Sequence, residues 1–357
     1  MPRPKIPSRL ITEALSMKSV SARDRRVWQL QTLGSREVFD RAARLCQSRA
    51  VERRELGADI LAQLGYQTNK PFKTESLPIL TALLADRSSA VVASAIHALG
   101  HLEAIELVPK LIPFADSDDR AVRFALATAL PWLALHQKPR DREPAIQATI
   151  QLTADTDANV RNWATFGLGD QLGDDRPAIR DALAARLRDR HHETRAEALL
   201  GLAKRGDSRA LLACAHALRR SLVGRLDLRS AAYLGAPELL PLLENLTVWK
   251  GEVEYEQAIE RCDPAQRHRS EARWASLIAA IGERVRGRKV RRMLEVLAMK
   301  VVDRELSYEL TVDWRSAGRT RRRTASWWVD GLVDDRASGD LTQAAAFVVA
   351  DLVNLAV

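Results

Sequence analysis

The stretch DTDANVRNWATFGLG, residues 155–169, carries the pattern that decides the fold. Asp155 is followed five residues later by Val160, and the small or apolar positions then run Val160, Ala164, Gly167 and Leu168. That spacing is one stripe of an amphipathic helix, and Asp155 stands where a carboxylate satisfies amide groups left free at a helix start. Val91, Ala95, Ala98 and Leu99 repeat the phase after Asp86, and Thr194 repeats it after Asp189. In the copy at Val122 the aspartate, Asp116, lies one residue farther away.

Working outward with a Leu-Gly-like pair as anchor, seven segments align, at Leu33, Leu64, Leu99, Leu130, Leu168, Leu202 and Leu234, spaced 31, 35, 31, 38, 34 and 32 residues apart. A second apolar segment follows each anchor, as in LVPKLIPFA (107–115) and AIRDALAARL (178–187). A self-similar unit of this length that holds two amphipathic helices cannot bury its own apolar faces, so it stacks on its neighbours.

The Asp, then Val-Arg, then Ala and Leu at fixed offsets resembles HEAT repeats, and the short period is most similar to the HEAT-like repeats named after phycobilisome (PBS) lyases. Val122-Arg123, Val160-Arg161 and Thr194-Arg195 carry the signature; the third unit has Val91-Val92, and the second is read as lacking the arginine. The resemblance implies an all-α solenoid of six or seven HEAT-like helix pairs over residues 21–250. It is preceded by a basic segment, 1–20, and followed by a helical, Arg-rich C-terminal cap and tail, 251–357. Helices are expected at 251–262, 265–285 and 288–310, with an apolar helix at 341–357.

Composition bounds the rest. With 357 residues, 46% hydrophobic and 28% charged, the chain has ample material for a core, and disorder throughout is excluded. No window approaches the roughly 18 apolar residues of a membrane helix, and the start shows no apolar run ending in a cleavage site, so a soluble cytoplasmic protein is expected. Cys46, Cys214 and Cys262 are too far apart for a zinc site and fit a reducing compartment. Charge is uneven: residues 1–54 hold 13 Lys and Arg against 5 acids, 261–300 hold 11 against 4, and 55–260 hold 24 against 28. Binding to nucleic acid would therefore rest on the ends, with Arg288, Lys289, Arg291 and Arg292 as the candidate contacts.

Candidate chemistry is sparse. His191-His192-Glu193 lies in a turn, where adjacent side chains diverge. Deoxyhypusine hydroxylase, a HEAT-like enzyme, holds iron through His-Glu pairs inside its helices; Glu197 stands at such a place but follows Ala196, and no metal is expected. His97 and His101 have metal-compatible spacing without a third ligand. No nucleophile-elbow, P-loop or dinucleotide motif occurs, and Cys262 reads as a buried thiol. HEAT-like DNA glycosylases use aromatic and acidic residues on a basic concave face. Trp28 and Trp163, with Asp59 and Glu197, align with that pattern, but the net charge of the middle opposes it.

Arg123, Arg161 and Arg195 with the upstream acids Asp116, Asp155 and Asp189 read as a ladder joining successive turns. The phases left free by the buried stripe, those of Asn162, Thr165 and Phe166 with Phe124 and His97 in other units, form a mixed wall suited to a peptide or helix. The expectation is a non-catalytic scaffold or adaptor that binds a protein partner, without cofactor. Nucleic-acid binding through the basic ends and a bilin-lyase-like accessory role are the alternatives.

Overall fold

In the computed structural model, which describes residues 6–304, 306–329 and 341–356, the chain forms two compact units, Met1–Ala210 and Leu211–Val357. The division falls earlier than the 250/251 boundary expected from loss of the repeat period. Residues 1–5 of the basic N-terminal segment lie outside the described residues.

The first unit contains α1 (Ile6–Ser16), α2 (Val20–Leu33), α3 (Arg36–Cys46), α4 (Val51–Ala62), α5 (Lys73–Leu83), α6 (Ser89–His101), α7 (Val108–Leu111), α8 (Arg120–His136), α9 (Glu143–Leu152), α10 (Ala158–Phe166), α11 (Pro177–Arg186) and α12 (His192–Lys204). From α2 to α12 the even-numbered helices stack on one another in succession, and the odd-numbered ones pack behind them. This is an α-solenoid of paired, packed helices.

Each stacked helix obeys one rule: a leucine eleven residues past the N-cap residue is fully buried. Leu99, Leu130, Leu168 and Leu202 follow Ser88, Asp119, Asp157 and His191 at that distance. In α2 and α4 the rule selects Leu30 after Ser19 and Leu61 after Ala50, not the expected Leu33 and Leu64. The three-residue slip arises because Leu33-Gly34 and Leu64-Gly65 imitate Leu168-Gly169. Gly34 and Gly65 are left-handed, at φ 53° and 70°, Gly34 capping the end of α2 and Gly65 lying in the turn after α4, whereas Gly169 continues the helical winding of its own unit. Leu33 is accordingly 45% exposed. Its replacement by alanine is expected to change stability by less than about 0.5 kcal/mol, whereas the same change at Leu30 opens a core cavity. Equal costs at the two positions, measured by urea unfolding, would refute this register.

The backbones of stacked helices approach closely. A Cβ on Gly201 would lie 2.6 Å from the Gly169 Cα, and one on Gly100 would lie 2.8 Å from the Ala129 Cβ. Glycine at these crossings is a packing requirement.

α13 (Arg209–Leu218) runs across the division. The second unit continues with α14 (Arg225–Leu234), α15 (Leu240–Glu244), α16 (Val253–Cys262), α17 (Pro264–Val285) and α18 (Arg288–Arg291). An antiparallel sheet follows, β1 (Leu294–Arg304), β2 (Ser307–Ser316) and β3 (Arg323–Trp328) in the order β1-β2-β3, and then α19 (Leu341–Ala356). The sheet corrects the expected helix over 288–310 and the purely helical cap. Strict alternation decides it: Leu310, Val312 and Trp314 face a core with Leu277 and Ile281 of α17 and Val348 and Leu352 of α19, while Glu309, Asp313 and Arg315 interleave on the other side. Among the described residues no helix is long and apolar enough to cross a membrane.

Candidate interaction groove

The structure places the ladder at the helix starts. Asp155 and Asp189 lie two residues before the N-caps of α10 and α12, and each carboxylate accepts the N-cap amide, from Asp157 at 2.8 Å and His191 at 2.9 Å. Each also takes a two-pronged bond from the preceding stacked helix, Arg123 to Asp155 at 2.6 and 3.1 Å and Arg161 to Asp189 at 2.9 and 3.0 Å. The third nitrogen of each arginine donates to two carbonyls of its own turn, Ser117 and Asp118 or Asp155 and Thr156. Arg54 of α4 makes the same arrangement with Asp86, at 2.6 and 2.8 Å. The register slip hid it, since Arg54 lies four residues past its N-cap, as Arg123 and Arg161 do. Arg195 binds the Asp189 and Arg190 carbonyls, and its buried Nε has no partner among the described residues. Asp116 stands outside the ladder and accepts from Gln151.

Between α6, α8 and α10 lies a groove of about 500 Å³ lined by His97, Gly100, His101, Phe124, Thr128, Ala129, Trp132, Trp163 and Gln171. Rings meet edge-on across it, His97–Phe124 at 6.1 Å and Phe124–Trp163 at 6.3 Å, and Trp163 meets Phe166 of its own helix at 5.6 Å. Such T-shaped contacts bring the positive edge of one ring to the negative face of the next and hold the row in a defined geometry. Trp132 and Trp163 are 38% and 41% exposed. The cause is local: the ninth position past the N-cap of α6 and the fifth and ninth past that of α8 point into the groove, which places His97, Phe124 and Thr128 there.

His97 is half-buried, and its Nδ1 lies 3.2 Å from the Thr128 hydroxyl, which itself donates to the Ala125 carbonyl at 2.8 Å. The hydroxyl proton being committed, Nδ1 donates and Nε2 remains an acceptor. Burial, with the neighbouring His101, pushes the imidazole down to about 4, so the ring is neutral at physiological pH.

Of the sequence-derived wall, His97 and Phe124 line the groove, while Phe166 lies outside its lining and touches it through Trp163 of the same helix. Thr165 does not belong to it: the side chain is buried and its hydroxyl donates to the Arg161 carbonyl, because the eighth position past the N-cap faces the core. Asn162 is half-buried and accepts from Thr194 of the next helix. Trp132 was missed, although it lies four residues beyond Thr128 on the same face. Trp28, aligned in sequence with Trp163, falls in register with His97 and Phe166 and lines a separate hollow with Ile6 and Leu10. Asp59 is ion-paired to Arg23 at 2.7 Å.

The remaining candidates are dispersed. His191 touches Thr194 and the rings of His191 and His192 meet at 5.7 Å, but among the described residues no three His, Cys, Asp or Glu side chains converge. All three cysteines are buried, and burial pushes the Cys46 and Cys262 thiols up to about 12. Arg288, Lys289, Arg291 and Arg292 are exposed in the second unit. The groove lining contains no carboxylate, thiol or amine. It is furnished to bind apolar and aromatic groups, with His97 and Gln171 as polar contacts.

Comparison with known proteins agrees with the stacked-pair geometry. The HEAT-repeat family matches residues 52–131 and 146–235. This chain is a HEAT-repeat protein. The HEAT array is similar to protein YibA of Escherichia coli strain K12, 29% identical over 243 residues, covering 67% of this chain and 82% of YibA. The crystal structure of YibA superposes with a TM-score of 0.57 at 27% identity, covering 71% of this chain and 91% of YibA. The complex of CpcE and CpcF of phycocyanin lyase from Nostoc sp. gives a TM-score of 0.40 at 18% identity, covering 74% of this chain and 96% of that one.

Proposed function

We propose that this HEAT-repeat protein is a non-catalytic scaffold that holds a segment of a partner protein in the groove between α6, α8 and α10. The observation that carries this reading is the row of edge-on rings, flanked by two exposed indoles, over a lining without carboxylate, thiol or amine. Half-exposed tryptophans on rigid helices lose little entropy on binding, and such residues dominate interface energetics. A peptide or helix with apolar anchors is the occupant that fits, and His97 Nε2 offers it one hydrogen-bond acceptor.

The test compares partners recovered by the wild-type protein and by Trp132→Ala/Trp163→Ala, quantified by mass spectrometry. The double variant is expected to lose its partner by about tenfold or more, with far-UV dichroism and melting nearly unchanged, since each hot-spot truncation costs about 2 kcal/mol or more. Because His97 stays neutral, capture is expected to be constant between pH 6 and pH 8, within the roughly neutral range chosen from its lowered pKa. Undiminished capture by the double variant sinks the proposal.

A further inference from the structure

Two basic segments that are far apart in sequence meet at one end of the sheet. Residues 284–292 carry six Arg and Lys and no acid, and residues 315–323 carry five and no acid. The pairing of β1 with β2 sets Leu294 opposite Ser316, and the Ala317 amide donates to the Met293 carbonyl at 2.9 Å. The pairing of β2 with β3 sets Trp314 opposite Arg323. The approach to β1, the turn after β2 and the start of β3 therefore share one edge of the molecule.

Three of the eleven cations are engaged locally. Arg315 pairs with Glu295, Arg284 donates to the Thr342 carbonyl, and Arg323 donates to the Leu355 carbonyl and lies over the Trp314 ring at 5.5 Å. Arg286, Arg288, Lys289, Arg291, Arg292, Arg319, Arg321 and Arg322 are all exposed, and no carboxylate among the described residues pairs with any of them. Holding eight like charges together costs repulsion that an anionic partner removes.

We propose that this end of the sheet binds the phosphate backbone of a nucleic acid. Strands about 4.8 Å apart make the three strand ends about 10 Å wide, close to three nucleotide steps of about 3.4 Å each. Seven of these eight cations are arginines, whose planar fork matches phosphate oxygens in two-pronged contacts. A membrane surface fits less well: interfacial binding uses a broad apolar face, and the exposed large apolar side chain placed here by a hydrogen bond is Leu355 alone. With no base-reading side chains called for, the contact is independent of sequence and strongly dependent on salt. It goes beyond the groove and does not rest on it.

The probes are a fluorescein-labelled 20-base-pair duplex of mixed sequence and its single strand, titrated with the full chain between about 50 and 200 mM salt. Wild type is expected to bind both, with the logarithm of affinity falling linearly with that of salt. Arg319→Gln/Arg321→Gln/Arg322→Gln and Arg288→Gln/Lys289→Gln/Arg291→Gln/Arg292→Gln are each expected to weaken binding about tenfold and to flatten the slope by about 0.9 per lost contact. The lysine triple variant at 319, 321 and 322 should keep the slope, which separates charge from misfolding. Trp132→Ala/Trp163→Ala should bind the duplex as wild type does, so the two proposals fail separately. The inference is overturned if wild type binds neither probe at about 50 mM salt, if Arg319→Gln/Arg321→Gln/Arg322→Gln keeps the wild-type slope, or if polyglutamate or phosphatidylserine vesicles at equal charge compete as well as unlabelled DNA.

Discussion

Replacing Arg205 with methionine is expected to destabilise the solenoid unit by about 3–5 kcal/mol, the largest effect of any single polar substitution in it. The guanidinium donates to five backbone carbonyls: Leu168 at 2.7 Å, Gly169 at 2.9 Å, Leu172 at 2.8 Å, Asp174 at 2.9 Å and Gly201 at 2.8 Å. The oxygens of Leu168, Gly169 and Leu172 are left as acceptors because α10 ends in a wide turn, Gly167–Gln171, closed by the bond from the Leu172 amide to the Gly167 carbonyl at 3.0 Å, while that of Gly201 comes from the last turns of α12 itself. A helix end exposes its last carbonyls, and here they face the end of α12, where solvent reaches poorly. Arg205, the residue that terminates α12, supplies all its donors to them and ties the end of one repeat to the next.

Methionine keeps much of the stem's packing and removes every donor, leaving several carbonyls desolvated and unpaired. Lysine restores the charge at one point and cannot reach the same fan of acceptors, so Arg205→Lys should recover only part of the loss. Hydrogen exchange of the α10 and α12 amides reads the effect locally, which suits a chain of two units better than a single melting temperature. A loss below about 1 kcal/mol for Arg205→Met would mean that water serves these carbonyls as well as the guanidinium does.

Particular residues show what was legible in the sequence. Leu99, Leu130, Leu168 and Leu202 were readable because each follows a capped helix start at a constant distance, and burial of one stripe fixes the phase. The first two units were misread by three residues because a Leu-Gly pair has one spelling and two structural uses, a close helix crossing or a left-handed stop. The phases that place His97 and Phe124 in the groove lining follow from the helical stripe, whereas the burial of Thr165 does not, since its polarity suggested exposure and a back-bond to the Arg161 carbonyl lets the hydroxyl be buried. The sheet was hidden by long apolar runs in 294–304 that fit either period, though the alternation in 307–316 was there to be counted. Arg205 could not be found in sequence, because its partners are carbonyls created by an unusual helix end in another repeat. The same holds for the meeting of 288–292 with 319–323, which depends on strand pairing that the helical reading excluded.

The ladder gives the second large effect, and its size falls as the pH is lowered. The side chains of Asp155 and Asp189 are only 6% and 3% exposed, and those of Arg123 and Arg161 are 14% exposed. Burial alone would raise both carboxyls. The bonds from Arg123 or Arg161, the N-cap amides and the guanidinium charge overcome it and hold both below the usual carboxylate range. Asp86 is lowered chiefly by its bonds from Arg54, against burial, with help from the Ser88 amide. A carboxylate whose folded pKa lies below its unfolded value contributes stability that is fully present above the unfolded value, about 3.9, and is lost as pH falls through the folded one. Asp155→Asn is therefore expected to cost about 3 kcal/mol at pH 7, since it strands a buried guanidinium, and the cost should be constant down to about pH 5 and shrink below about pH 4. Adding Arg123→Met should restore part of the loss, because a buried ion pair replaced on both sides is worth far less than one broken on one side. Unfolding of the four members of that double-mutant cycle, followed by hydrogen exchange at α8 and α10 from pH 7 to pH 3, measures the coupling. A coupling near zero, or a cost for Asp155→Asn that is the same at both ends of that range, would show that the turns are held by helix packing, with the ladder setting only their register.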